Sequence, residues 1–239
     1  MRICISGAPL TGKQDFVSDF VKEWPNYSIK KTRANNKSFT AKGLIKHLNS
    51  TIDSLQEFSR EDNIIFNSSP IDCLVYALWS HESGKAGFDR EYISKLIPLV
   101  KESMRFIDII FFTPISLTSP IEGEEESVER EELDNIYKAI VKKYHTHLDA
   151  DVFFPKEDSP CIIDIFGNRE QRILLVKQYL ADDGNLIGEE EDSILNPDSL
   201  TEMEQLLQNQ LNIHDSEQRS VREEAMRKVV TAYSKKLKI

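Results

Sequence analysis

The stretch MRICISGAPLTGKQ, residues 1–14, decides the reading of this chain. Arg2 to Ser6 is a short β-rich run with the look of a buried strand. It leads straight into Gly7-Ala8-Pro9-Leu10-Thr11-Gly12-Lys13, the G-x-x-x-x-G-K spacing of a phosphate-binding loop. Glycines let the backbone curl so that successive N–H groups face an anion. The helix that follows, with Phe16, Val17, Phe20 and Val21 on one side, adds the positive end of its dipole. Lys13 then reaches the outer phosphates of a nucleoside triphosphate, ATP being the expected one. In this pattern the next residue supplies a hydroxyl to Mg²⁺. Here it is Gln14, whose amide oxygen is a longer and differently placed ligand, so triphosphate binding is expected more strongly than catalysis.

The rest of the 239 residues supports a mostly parallel α/β sheet covered on both faces. After Lys13 to Glu23, stopped by Trp24-Pro25, a short strand is expected over Tyr27 to Lys30. A helix capped by Ser38 or Thr40 runs to about Arg60, with Leu44, Ile45, Leu48, Ile52 and Leu55 at helical spacing. Asn63 to Asn67 reads as the next strand, and Pro70 opens a helix. A further helix over Asp89 to Arg105 carries Pro98 as a kink or break. Ile107 to Phe112 is a buried strand ended by Thr113-Pro114. Glu129 to His147 is helical, Cys161 to Phe166 is a strand, and Arg169 to Leu180 is the last helix of this unit.

Residues 1–181 are thus expected to form one nucleotide-binding domain, and 182–239 an acidic linker and a helical hairpin. Asp182 to Asn185 and the run Glu189 to Asp192 read as the linker. Ser199 and Glu202 have capping-box spacing, and a second helix ends in Lys235, Lys236 and Lys238. That basic cluster either complements its own helix dipole or contacts a protein partner or a second copy of the chain.

Net charge is −10, which disfavours a broad nucleic-acid surface. Lys30, Lys31, Arg33 and Lys37 form a local basic patch, read as a solvated loop or as a phosphate or nucleic-acid contact. Cys4, Cys73 and Cys161 sit within apolar runs without metal or redox spacing, as expected of buried thiols in a reducing compartment. No apolar run reaches spanning length and the chain begins on a strand. A soluble cytoplasmic protein without membrane contact is expected, of a cell or a phage-infected host. His145, His147 and Asp149 lack a third ligand at a recognisable spacing and read as surface residues. Phe111-Phe112 and Phe153-Phe154 read as core.

The chain resembles the P-loop kinase-like ATPases, which include nucleoside and nucleotide kinases and small ATPases carried by phages. Beyond the loop, three stretches carry the resemblance. Ile64 to Leu78 (IIFNSSPIDCLVYAL) is similar to the family's strand followed by D-R-[ST]-P-x-D and an apolar helix. The acidic excursion leading into Glu129-Arg130-Glu131-Glu132-Leu133-Asp134 is similar to the lid and the helix after it. Ile165 to Arg172 (IFGNREQR) is similar to the last strand and the turn that follows. The resemblance covers residues 1–181. It implies about five parallel strands, with Arg130 and Arg172 as secondary nucleotide contacts and Asp72 as the remaining acidic group.

The departures fall on the family's working positions. Asn67 and Ser68 stand where the family has the carboxylate and arginine that act on the acceptor and its phosphate; asparagine cannot accept a proton at neutral pH, and serine carries no charge. Glu124 and Glu125 stand where relatives place a lid arginine. These changes, with Gln14, imply a nucleotide-binding protein with eroded catalysis and a regulatory or interaction role. Two alternatives remain. One is an active kinase acting on a nucleoside, nucleotide or polynucleotide end, with Asp72 or Asp108 as the carboxylate. The other is a nucleic-acid-processing factor that uses Lys30 to Lys37.

Overall fold

The computed structural model describes residues 1–30, 40–115 and 128–187. Five parallel strands form a single sheet in the order β2-β3-β1-β4-β5. They are β1 (Arg2–Ser6), β2 (Ser28–Lys30), β3 (Ile64–Phe66), β4 (Ile109–Phe112) and β5 (Cys161–Asp164). The helices are α1 (Lys13–Glu23), α2 (Ala41–Glu57), α3 (Pro70–Glu82), α4 (Arg90–Ser103), α5 (Val128–His145) and α6 (Arg169–Val176).

Strand β1 is central. Ile3 lies opposite Ile65 on β3 and opposite Ile109 on β4, and every residue of both neighbours is buried. Side chains alternate between the two faces, as the period of a strand requires. Cys4, Phe66, Ile110, Phe112 and Ile162 face α2, α3, α4 and α5. Ile3, Ile5, Ile65, Ile109, Phe111 and Ile163 face α1 and α6. Continuous apolar strands therefore reflect a sheet covered on both sides.

Several local outcomes differ from the sequence expectation. Pro98 sits inside α4 on its exposed side, and the helix continues past it to Ser103. Strand β4 begins two residues later than expected, after a 3-10 turn over Met104–Phe106 whose last bond runs from Ile107 N to Met104 O, and the Asp108 carboxylate just before it pairs with Arg2. It accepts from the Arg2 main-chain N–H at 2.7 Å and from Nη2 at 2.7 Å. Burial opposes the charge on Arg2, but this hydrogen bond outweighs it and raises the arginine's pKa.

Asp182 to Asn185, read as the start of a linker, is instead a docked turn. Leu180 bridges Leu186, Trp24 Nε1 donates to Ala181 O at 2.8 Å, and Tyr27 Oη donates to Gly184 O at 2.8 Å. Gly184 has φ +83°, and a Cβ there would lie 2.6 Å from the Tyr27 ring. The expected hairpin over 199–236 and the acidic stretch holding Glu124 and Glu125 lie outside the described residues, as does the basic patch apart from Lys30, which lies in β2, 3.6 Å from Glu61. Phe111, Phe112, Phe153 and Phe154 are buried in the core. Among the described residues no helix is long and apolar enough to cross a membrane.

Candidate functional site

The site forms where β1 ends. Leu10 (φ +60°) and Gly12 (φ +75°) both adopt left-handed backbone, flanking Thr11. Alternation of this kind turns neighbouring N–H groups toward a common point and makes an anion-binding concavity. Gly7 is held tightly from below: a Cβ there would lie 2.3 Å from Thr113 Oγ1 and 2.5 Å from Thr113 O. The end of β4 is therefore part of the loop's floor. Thr113 Oγ1 donates to Ser6 O at 3.0 Å and lies 2.9 Å from Thr11 Oγ1, which is also 3.0 Å from Ala8 O. The loop's shape rests on these hydroxyls as well as on its glycines.

Lys13 opens α1. Its ammonium donates to Gly7 O and, at 2.8 Å, to Ala8 O, so it lies across the loop it would serve. Burial pushes its pKa down, while the carboxylates of Asp72 and Asp134 act in the opposite sense. Two carboxylates thus favour the charged form of the one lysine of the motif.

Asp72 is placed by an N-terminal capping box on α3. Ser69 Oγ accepts from Ile71 N, and Asp72 Oδ2 accepts from Ser69 N at 3.1 Å. The S-x-x-D spacing of Ser69 to Asp72 carries this signal in the sequence. Asp72 Oδ1 accepts from Tyr137 Oη at 2.8 Å, and Ser69 Oγ lies 2.5 Å from Ser6 Oγ. Burial raises the Asp72 pKa. Lys13 opposes that rise, as do the hydrogen bonds from Tyr137, Ser69 and Ser6.

Asp134 on α5 is buried. Its Oδ1 accepts from Ile115 N at 2.9 Å, and Lys138 lies 2.7 Å from its Oδ2 while donating to Ile115 O at 3.0 Å. Sequence reasoning passed over Thr113, Asp134 and Tyr137, because each works through a partner remote in the chain.

Asn67 follows β3, and its Oδ1 is buried without a hydrogen-bond partner among the described residues. Arg130 is buried in the first turn of α5, 6% exposed. Gln14 is exposed at the start of α1. Asp108 is a correction to the expectation of a stand-in carboxylate. It lies beside Arg2, at the amino ends of β1 and β4, whereas the loop follows the carboxyl end of β1. His145 lies 3.7 Å from Asp164, and Asp149 pairs with Lys143 at 3.4 Å, so the two ends of that expected surface group have separate partners.

Arg172 on α6 reaches the loop from the side. Nη1 donates to Thr11 O at 2.6 Å and Nε to Gly167 O at 3.0 Å. Burial lowers its pKa, with Asp15 opposing. Arg169, three residues earlier, clamps Asp19 of α1 with two hydrogen bonds of 2.7 Å.

The loop fits a polyphosphate: left-handed backbone, a lysine on its rim and a helix N-terminus meet at one point. Among the described residues the donors for Mg²⁺ beside the loop are few: the exposed Gln14 amide and the carboxylates of Asp72 and Asp134, which already accept hydrogen bonds. Among the described residues no three His, Cys, Asp or Glu side chains cluster closely enough to hold an ion. That set does not make a preformed magnesium site, since the ion demands near-octahedral oxygen geometry.

Comparison with solved structures finds chains of similar fold. Deoxyadenosine kinase from M. mycoides, with the products dCMP and a flexible dCDP bound, matches with a TM-score of 0.50 at 17% identity, covering 74% of this chain and 98% of that chain. The fold is that of the nucleoside kinases. The same enzyme with bound dATP has a TM-score of 0.49 at 17% identity, again over 74% and 98% of the two chains. Thymidylate kinase from Candida albicans has a TM-score of 0.48 at 14% identity, over 74% of this chain and 88% of that one. No family model matches the chain, and no curated protein matches it. At these identities the nucleoside-kinase likeness is one of fold.

Proposed function

We propose that the chain is a nucleoside triphosphate-binding protein of nucleoside-kinase-like fold whose catalytic equipment is reduced, and that it acts by binding, in a regulatory or interaction role. The observation that carries this reading is the contrast across the site. The phosphate-loop pattern is retained in Gly7, Ala8, Pro9, Leu10, Thr11, Gly12 and Lys13. The end of β3 offers only the neutral Asn67 and Ser68. Phosphoryl transfer depends on placing the nucleophile and neutralising developing charge, and losing either part costs orders of magnitude in rate.

In this reading ATP phosphates displace the Lys13 ammonium from Gly7 O and Ala8 O. The charge-assisted bond to phosphate replaces two bonds to neutral carbonyls. Gln14 would meet any Mg²⁺ that arrives with the triphosphate. Residues 182–239 would supply the contact with a protein partner or a second copy.

One observation favours a second reading, an active kinase for a nucleoside, nucleotide or polynucleotide end. The Asp72 carboxylate is buried, has a raised pKa and faces Lys13. A carboxyl poised in this way is suited to proton transfer.

Calorimetry of ATP binding with and without Mg²⁺, on the wild type and Lys13→Ala, tests the reading together with ADP release over a panel of nucleosides and nucleotides. Binding that depends on Lys13 without turnover is the expected result. Turnover with any acceptor, abolished in Asp72→Asn, would establish the kinase instead. The absence of ATP binding would remove both.

A further inference from the structure

The resemblance to kinase-like ATPases makes Arg172 a nucleotide contact, but its geometry gives it other work. Arg172 is 5% exposed, and its guanidinium lies against the loop. Nη1 holds Thr11 O at 2.6 Å and Nε holds Gly167 O at 3.0 Å, so one planar group joins the last turn of the phosphate loop to the turn between β5 and α6. The fit is close: a Cβ on Gly12 would lie 3.1 Å from Nη1.

The platform that carries the arginine is itself fixed. Asn168 and Gln171 close a capping box on α6, with reciprocal hydrogen bonds of 2.9 Å. The Arg169–Asp19 clamp ties α6 to α1 on the exposed side. Two donors of a guanidinium are held in a rigid fork, so the separation of the two carbonyls is set by the residue itself. Thr11 is thereby held from one side by Arg172 and from the other by Thr113.

We propose that Arg172 is a positioning residue that shapes the phosphate loop through the Thr11 carbonyl, and that it therefore supports binding of any polyphosphate whether or not a base is attached. The inference rests on the nucleotide-binding reading and replaces a contact with the ligand by a contact with the loop. A base contact and a loop brace differ in one respect. Removing a base contact spares a ligand that has no base, whereas removing a brace does not.

Inorganic tripolyphosphate and ATP are the probes, measured by calorimetry on the full chain as wild type, Arg172→Gln and Arg172→Lys. Arg172→Gln is expected to lose about tenfold in affinity for both ligands, the worth of one charge-assisted hydrogen bond. Arg172→Lys, which keeps one charged donor toward Thr11 O, recovers part of the loss for both. A loss confined to ATP, or no loss for either ligand, overturns the proposal.

Amide hydrogen exchange without ligand gives a second readout. In Arg172→Gln the amides of residues 11–16 are expected to exchange faster, while those of residues 3–5 and 109–112 stay protected. Arg172→Lys restores protection if the sheet of the glutamine variant is itself weakened. Unchanged exchange in the loop overturns the brace. Should the wild type bind neither probe, the nucleotide reading falls, and the exchange result still decides the role of Arg172.

Discussion

Tyr137 donates its phenolic proton to Asp72 Oδ1 across 2.8 Å, linking α5 to the first turn of α3 beneath the phosphate loop. The same ring stacks on Phe112 with centroids 5.8 Å apart. Tyr137→Phe therefore keeps the packing and removes one donor from a buried carboxylate. The Asp72 pKa, already raised by burial, is expected to rise further. A ¹³C carboxyl titration of the two proteins by NMR measures the shift; an equal or lower value in the variant would contradict the assignment.

The Asp72 shift also sets a sign for stability against pH. Its folded pKa lies above its unfolded value, so between the two the folded chain holds more protons than the unfolded one. This group's contribution to stability is then fully present below the unfolded pKa and is lost as pH rises through the folded pKa. Asp72→Asn carries no such slope. Its stability relative to the wild type is expected to improve as pH rises from the ordinary carboxylate range toward neutrality. Urea unfolding at a series of pH values checks this; a relative loss over that range would reverse the sign.

Gly7→Ala is expected to damage the fold as well as the loop. The added methyl would meet Thr113 at 2.3 Å, and part of that obstacle is backbone, which cannot swing aside. Forced repacking of this kind costs about 1–3 kcal/mol, and the positive φ adds strain. Thermal unfolding reads the loss, and a variant as stable as the wild type would show that β4 yields.

Thr113→Val keeps the shape of the side chain and removes its hydroxyl. Ser6 O retains the Thr113 N–H at 2.9 Å, and Thr11 Oγ1 retains Ala8 O. The stability cost is therefore expected to be small, about 1 kcal/mol. The effect on the loop is expected to be larger, seen as faster amide exchange over residues 8–12. Unchanged exchange there would leave the glycines as the main support.

Gly184→Ala tests the docked turn. A methyl at φ +83° and 2.6 Å from the Tyr27 ring separates the turn from Trp24 and Tyr27. Expected outcomes are a change in Trp24 fluorescence and faster proteolysis near residues 181–187.

The sheet was legible because its strands are unbroken apolar runs, and because the turn residues around Gly7, Pro70 and Gly167 punctuate them. The loop was legible because its chemistry depends on residues close in sequence. Long-range partnerships were not legible. Nothing in the spacing of Arg2 shows that Asp108 waits 106 positions away, or that this pairing removes Asp108 from the site. The partner of Asp72 was hidden too: capping-box spacing says where a helix starts and not that Tyr137 lies beside it. The docked turn at Gly184 was read as a linker on composition: two aspartates, a glycine and an asparagine look solvated until the aromatic rings of Trp24 and Tyr27 cover them.

The central place of β1 has a consequence for the order in which the protein comes into being. Ile3 needs Ile65 on one side and Ile109 on the other. A ribosome delivers those partners long after the phosphate loop has left the exit tunnel. Pairings so distant in sequence must close long loops before they gain anything, and they form slowly. The loop's own floor, Thr113, arrives just after the last of these strands. Until then residues 7–13 carry the loop's sequence without its shape, and a ligand of the loop can stabilise the chain only once Thr113 has been made.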